Sequence, residues 1–256
     1  MPQPPPYCGT APTPAEILGR FNLDYRLMLV LAALVLWHMI ALHAPAQRRA
    51  RLLAGAGWLV ASAALISPLC ALSVALFSAR VGQHMLLVLV AAPLIGTGLP
   101  LRAAAPASHG GGRTRVLWGS TGFFFAALWF WHMPVPYGAT FASVAAYWAM
   151  HVTLFGSAIL LWRELIHHPR RQTAQALAAG AITFVHMGLL GAILALSDRP
   201  LFAWHLLTTQ TWGLTPLQDQ QLGGALMWVP GIALFLWSAL RSLSRLWRTL
   251  DSARAV

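Results

Sequence analysis

Five histidines in this chain stand next to a methionine: Trp37-His38-Met39, Gln83-His84-Met85, Trp131-His132-Met133, Met150-His151 and Val185-His186-Met187. Imidazole and thioether, with carboxylate nearly absent, suit Cu(I) better than zinc, magnesium or calcium. Adjacent residues on a helix point about 100° apart, so a histidine and its neighbouring methionine seldom hold one ion together. A shared site would have to be assembled from several helices. A zinc site would show a tighter His/Cys/Asp cluster, and no expected span carries two histidines at the wide spacing of a bis-His haem helix, His38 and His43 being only five residues apart. The metal ligands expected from type and placement are His84, His132, His151 and His186. Met85, Met133, Met187, Asp219, Gln220 and Cys8 are expected in secondary roles, as occasional ligands or as groups that orient them. A histidine within a span also commonly packs by hydrogen-bonding a neighbouring helix, and that reading is favoured for His38 and His205.

The elements that position these residues follow from composition. The chain has 256 residues, 58% hydrophobic and only 9% charged. A soluble domain carries roughly a quarter charged residues, so this is the composition of a membrane protein. A crossing helix needs about 20 mostly apolar residues, and seven segments qualify: 26–44, 52–72, 78–98, 115–132, 141–162, 174–196 and 221–243. The expected fold is an all-α integral membrane protein of seven transmembrane helices. The expected organisation is a Pro-rich extracytoplasmic tail (1–24), a transmembrane domain (25–245) and a basic cytoplasmic tail (246–256). Pro68 ends or kinks the second span. The polar stretch 197–220 reads as a surface loop with a short helix at "LFAWHLL".

All 17 basic residues are arginine. They concentrate at Arg48, Arg49 and Arg51, at Arg102, Arg113 and Arg115, at Arg163, Arg170 and Arg171, and from Arg241 to Arg254. Arginine-rich loops face the cytoplasm, which puts the N-terminus outside and the C-terminus inside. The net charge of +11 is dispersed between apolar runs rather than gathered in a patch, so nucleic acid is not an expected partner. Counting residues from the outer ends puts His84, His132, Asp219 and Gln220 in an outer layer and His38, His151 and His186 near the bilayer centre. His43, His109, His167 and His168 fall on the cytoplasmic side. Two cysteines, Cys8 and Cys70, are too few for a disulfide framework, and the N-terminus "MPQPPPYCGTAPTPAE" reads as an extended tether. The chain has no Ser/His/Asp set, no carboxylate pair in a span and no phosphate-binding glycine loop, so an enzymatic role is not expected.

Three blocks, "SARVGQHMLLVLVAAPLIGTGLPLR", "WFWHMPVPYGATFASVAAYWAMHVTLF" and "GLTPLQDQQLGGALMWVPGIALFL", resemble the signatures of the multi-span CtaG family of cytochrome c oxidase assembly factors. The opening "CGTAPTPAEILGRFNLD" is similar to the start of many members. The resemblance implies a multi-pass protein of the bacterial inner membrane that serves maturation of haem-copper oxidase by assisting copper insertion. It implies oxidase subunit I or II, the lipid bilayer and a periplasmic copper donor as partners. It also places Gln83, His84, Met85, Trp131, His132, Pro134, Tyr137, His151, Asp219, Gln220, Gln221, Met227 and Trp228 in signature blocks. Two positions depart from the family pattern: Arg80 replaces a histidine and Met150 replaces a glutamate. A cation one turn from His84 disfavours a bound cation unless its side chain snorkels away. Two other readings stay open: a membrane transporter for copper or another small solute, and a metal-free scaffold for oxidase assembly. A transporter needs a polar path to the cytoplasmic face, whereas the inner halves of the spans are mostly Ala, Leu, Val and Gly.

Overall fold

The computed structural model describes residues 5–99, 111–169 and 172–254, and these are helical without strands. Arg102, His109, Arg170 and Arg171 lie outside the described residues. The helices are α1 (Tyr25–Ala41), α2 (Arg48–Ile66), α3 (Leu69–Ala75), α4 (Phe77–Gly98), α5 (Gly111–Trp131), α6 (Pro134–Ala142), α7 (Val144–His167), α8 (Thr173–Ala195) and α9 (Pro216–Arg254). Among the described residues, four stretches are long and apolar enough to cross a membrane: Pro45–Ile66, Phe77–Gly98, Val144–His167 and Thr173–Ala195. α1 is apolar but shorter. Its outward face shows Leu29, Val30, Leu36, Trp37 and Ile40 to the surroundings, and α8 likewise shows Ile182, Val185 and Leu189. Such faces fit a lipid solvent, in which helices satisfy their own backbone groups.

Local chemistry sets the breaks. The expected span 52–72 stops at Ile66, where Ser67 turns extended (φ −65°, ψ 171°) ahead of Pro68. Leu76, also extended, separates α3 from α4. The expected span 141–162 divides at Ser143 (φ −140°, ψ 123°), whose hydroxyl accepts from the Ala146 amide and caps α7. Pro134 starts α6, its missing N–H falling where no helical partner exists. The loop 197–215 holds short turns at Ala203–Leu206 and Gln210–Trp212, in line with the short helix expected there.

α4 loosens into a π-helical turn over Leu86–Ala91. Such a turn frees carbonyls from the regular ladder, and the Val88 carbonyl accepts from Trp162 Nε1 of α7 at 2.8 Å. Gln83 Nε2 donates to the Ala64 carbonyl of α2 at 2.8 Å. α4 is thereby fixed to both neighbours and forms the buried centre of the bundle. At the end that carries α6 and the 197–215 loop, Asp219 reaches from α9 to the start of α4. It accepts from the amides of Phe77 (2.6 Å) and Ser78 (3.0 Å) and from the Ser78 hydroxyl (2.5 Å). Gln220 accepts from the Leu201 amide at 2.6 Å and donates to the carbonyls of Leu194 and Arg199. Gly224 follows at a close approach: a Cβ there would lie 2.5 Å from the Ala195 nitrogen. The "DQQLGG" block is therefore a latch joining α4, α8 and α9.

The N-terminal tail is not a loose tether. A disulfide joins Cys8 to Cys70, with Cα atoms 5.5 Å apart. Tyr7 stacks on Tyr147 at 4.8 Å and donates to Asp24 at 2.5 Å. Trp212 Nε1 donates to the Pro12 carbonyl at 3.2 Å, and the Asn22 amide to Ile66 at 2.8 Å. The tail lies as a strap across the ends of α2, α7 and the 197–215 loop.

Candidate functional site

Of the expected ligands, the structure brings three together. His84 of α4 faces His151 of α7 with ring centres 5.3 Å apart, and His132, just past the end of α5, lies 6.4 Å from His84. All three are buried. Nδ1 of His132 lies 2.7 Å from the Leu128 carbonyl, and Nδ1 of His151 lies 3.0 Å from the Tyr147 carbonyl. A carbonyl only accepts, so both Nδ1 atoms carry the proton and both Nε2 atoms carry the lone pair. This is the arrangement that orients metal-binding imidazoles. Nε2 of His84 and Nε2 of His151 are buried with no hydrogen-bond partner. Orphaned groups of this kind cost about 1–3 kcal/mol each unless a ligand satisfies them. Among the described residues, no three His, Cys, Asp or Glu side chains form a ready-made metal cluster. The arrangement is a close pair with a third imidazole further off.

The two-layer placement does not hold. α7 begins at Val144 because Ser143 breaks the helix, so His151 lies seven residues in, as His84 does in α4. The two are level. His38 lies near the far end of α1, accepts from Trp58 Nε1 at 3.0 Å and sits beside Gly98. Its Nε2, beside Gly98, is likewise buried without a hydrogen-bond partner. His186 packs on Phe125 (4.2 Å between ring centres), away from the other three. Met85 and Met187 are buried in the core, while Met133 is exposed. Asp219 and Gln220 are committed to the latch and touch none of the three histidines through the bonds described. Cys8 carries no free thiol, being joined to Cys70.

Arg80 and Tyr137, both noted in the sequence, form the wall of the site together with Phe141 and Tyr147, which sequence reading missed. Arg80 does not snorkel; it is 2% exposed. Its guanidinium carbon stands 4.1 Å from the Phe141 ring centre, 5.1 Å from Tyr137 and 5.9 Å from Tyr147. These are cation–π distances. Nε and Nη1 of Arg80 have no hydrogen-bond partner, and no ion pair reaches it among the described residues. The cage is tied to the loop by Tyr137, whose hydroxyl meets His205 Nε2 at 2.7 Å, while His205 Nδ1 donates to the Ala75 carbonyl at 3.2 Å. Burial, helped by the Arg80 charge, pushes the His205 imidazole down to about 3, so it stays neutral. The spacing of "VPYGATF" puts Tyr137 and Phe141 one turn apart on α6, a signal that could have suggested an aromatic platform.

Residues 33–249 match the family described as cytochrome c oxidase caa3 assembly factor. The chain belongs to that family. No curated protein and no solved structure matches it. The family match covers all three histidines, the Arg80 cage and the Asp219 latch, and it begins after Cys8. Membership places the chain among cytochrome c oxidase assembly factors.

Proposed function

We propose that this protein assists copper insertion into cytochrome c oxidase by holding Cu(I), as cargo, between His84 and His151, with His132 completing the site. The observation that carries the reading is the facing pair of buried imidazoles from different helices, each with an unpartnered Nε2. His151 also lines a largely apolar groove of about 650 Å³ that runs between α1 and α7 from Tyr7, Asp24 and Arg26 to His38. That groove gives a lateral approach for a client docked in the membrane. Arg80, which does not snorkel, opposes any cation at the pair, though a monovalent ion only half as strongly as a divalent one at the same distance. In this reading seven helices span the bacterial inner membrane, with the strap and histidine end outside and the arginine-rich end in the cytoplasm. Oxidase subunit I or II is the client, and a periplasmic donor supplies the metal.

The test is Cu(I) titration of the purified full chain against a chromophoric Cu(I) chelator, with oxidase maturation followed in cells. About one Cu(I) per chain is expected, lost in His84→Ala and in His151→Ala together with oxidase activity. Copper uptake and oxidase activity unchanged in both variants would exclude the site. A copper-free protein that still binds oxidase subunit I would favour the metal-free scaffold. The caged, uncompensated charge of Arg80 beside His84 is the observation on that side.

A further inference from the structure

The disulfide stands directly over the histidine site. The Tyr147 hydroxyl is 3.4 Å from Cys8 Sγ and 3.7 Å from Cys70 Sγ. The ring of the same tyrosine packs on His151 at 4.3 Å between ring centres. One residue therefore separates two sulfurs from an imidazole whose Nε2 has no partner. The two sulfurs differ in access: Cys8 is half-buried on the strap, whereas Cys70 is fully buried at the start of α3. Asn22 Nδ2 points at Cys70 Sγ from 3.6 Å. Arg80, a cation without a carboxylate partner among the described residues, lies 5.9 Å from the Tyr147 ring centre.

We propose that Cys8 and Cys70 are a second, redox-controlled Cu(I) site. Reduced, they hold an ion as a bis-thiolate beside the histidine pair; joined as the disulfide, they hold none, and the histidine pair binds its own ion in either state. An extracytoplasmic dithiol oxidoreductase attacks Cys8 Sγ, the accessible sulfur. The Cys8–Cys70 bond breaks and Cys70 leaves as a thiolate, stabilised by hydrogen bonds from Tyr147 and Asn22. The second thiol of the reductant then displaces Cys8 from the mixed disulfide. Two electrons and two protons pass to the cysteines and the reductant ends as its own disulfide. Cu(I) then binds both sulfurs with loss of two thiol protons and no change in oxidation state. The resulting unit carries one negative charge, which the unpaired Arg80 cation complements. Thiolate is a preferred ligand class for Cu(I). Reduction removes the covalent tie of the strap, while the stack of Tyr7 on Tyr147 and the Tyr7–Asp24 bond hold it in place for both sulfurs to meet the ion.

This rests on the copper reading of the histidine pair, and the experiment separates the two. The full chain in detergent is titrated with Cu(I) with its disulfide intact, and again after phosphine reduction and anaerobic removal of the reductant. Copper X-ray absorption reports the ligand type. The reduced protein should take up about one further Cu(I), with sulfur ligands and an ultraviolet thiolate-to-copper band. Cys8→Ser and Cys70→Ser should each abolish that increment and keep the uptake seen in the oxidised protein. His84→Ala/His151→Ala should do the reverse. No increment and no sulfur ligation in wild-type protein overturns the proposal without reference to any variant. Loss of both uptakes in the histidine variant, with its melting temperature kept, overturns a separate sulfur site. Uptake by the reduced form alone, with sulfur ligands, supports the cysteine site and removes the histidine one.

Discussion

Asp219→Ala separates a latch from a binding group. In the structure the carboxylate accepts from three donors on α4, two of them the amides of Phe77 and Ser78 at the helix start. Asp219 is fully buried and the donors' own residues are nearly so. Burial raises the Asp219 carboxyl above its ordinary value, while the Ser78 and Phe77 donors at the helix N-terminus pull the other way and favour its anionic form. The Ser78 hydroxyl can rotate to another acceptor after truncation, whereas the two amides have no helical partner to turn to. Leaving each buried amide unsatisfied costs about 1–3 kcal/mol, so the variant should lose about 3–5 kcal/mol. For a chain of this size each kcal/mol moves the melting temperature by about 2–4 °C, which predicts a loss on the order of 10 °C. Asp219→Asn keeps one acceptor oxygen and should fall by roughly half as much. The assay is thermal unfolding of the detergent-purified variants, followed by tryptophan fluorescence, beside Cu(I) uptake. An Asp219→Ala protein that melts with wild type but fails in oxidase maturation would refute the latch and return Asp219 to the site or to the client interface.

Gly224→Ala should destabilise more than an ordinary core overpacking of about 1–3 kcal/mol, since its Cβ would meet the backbone of Ala195 and Gly191, which cannot rotate away; the melting temperature checks this. His205 stays neutral when folded, its imidazole held down to about 3, so between that value and the ordinary 6.5 the unfolded chain binds the extra proton. Stability should therefore be complete above pH 6.5 and fall as pH drops, by about 2 kcal/mol at pH 5; His205→Gln should melt lower at pH 7 yet show a shallower decline, measured as melting temperature against pH. Trp162→Phe strands the Val88 carbonyl in the π-helical turn and should cost about 1–3 kcal/mol, read by the same melting assay.

Apolar length and periodicity made the helices legible, because a lipid-facing segment must satisfy its own backbone and cover itself with apolar side chains. They did not reveal the ends. Ser67, Leu76 and Ser143 break helices within runs that remain apolar, through extended backbone and local capping that hydropathy does not register. Those breaks matter for the site. Counting depth from an unbroken span 141–162 put His151 below His84, whereas the Ser143 break raises it level, which makes them a facing pair. His84, His132 and His151 were legible as chemistry and illegible as geometry. The reverse holds for "DQQLGG", whose residues look like polar ligands but are spent on helix ends and close packing.

Arg80 shows why a residue's type alone misleads in such a chain. In sequence it is a charge one turn from a candidate ligand, expected to disfavour a cation there or, alternatively, to snorkel to the surface. In the bundle, α6 exists as a separate short helix because Pro134 starts it and Ser143 ends the run. That helix lays Tyr137 and Phe141 over the guanidinium, with Tyr147 on the third side. The rings replace part of the lost hydration, each contributing about 0.5–2 kcal/mol. Three rings together contribute about 1.5–6 kcal/mol, the same order as the several kcal/mol that an isolated buried ion costs. Within hydrogen-bonding reach of Tyr147 lie the two sulfurs of Cys8 and Cys70, neutral while joined and anionic once reduced and bound to Cu(I). The caged charge, the orphaned imidazole and the disulfide thus meet around one tyrosine.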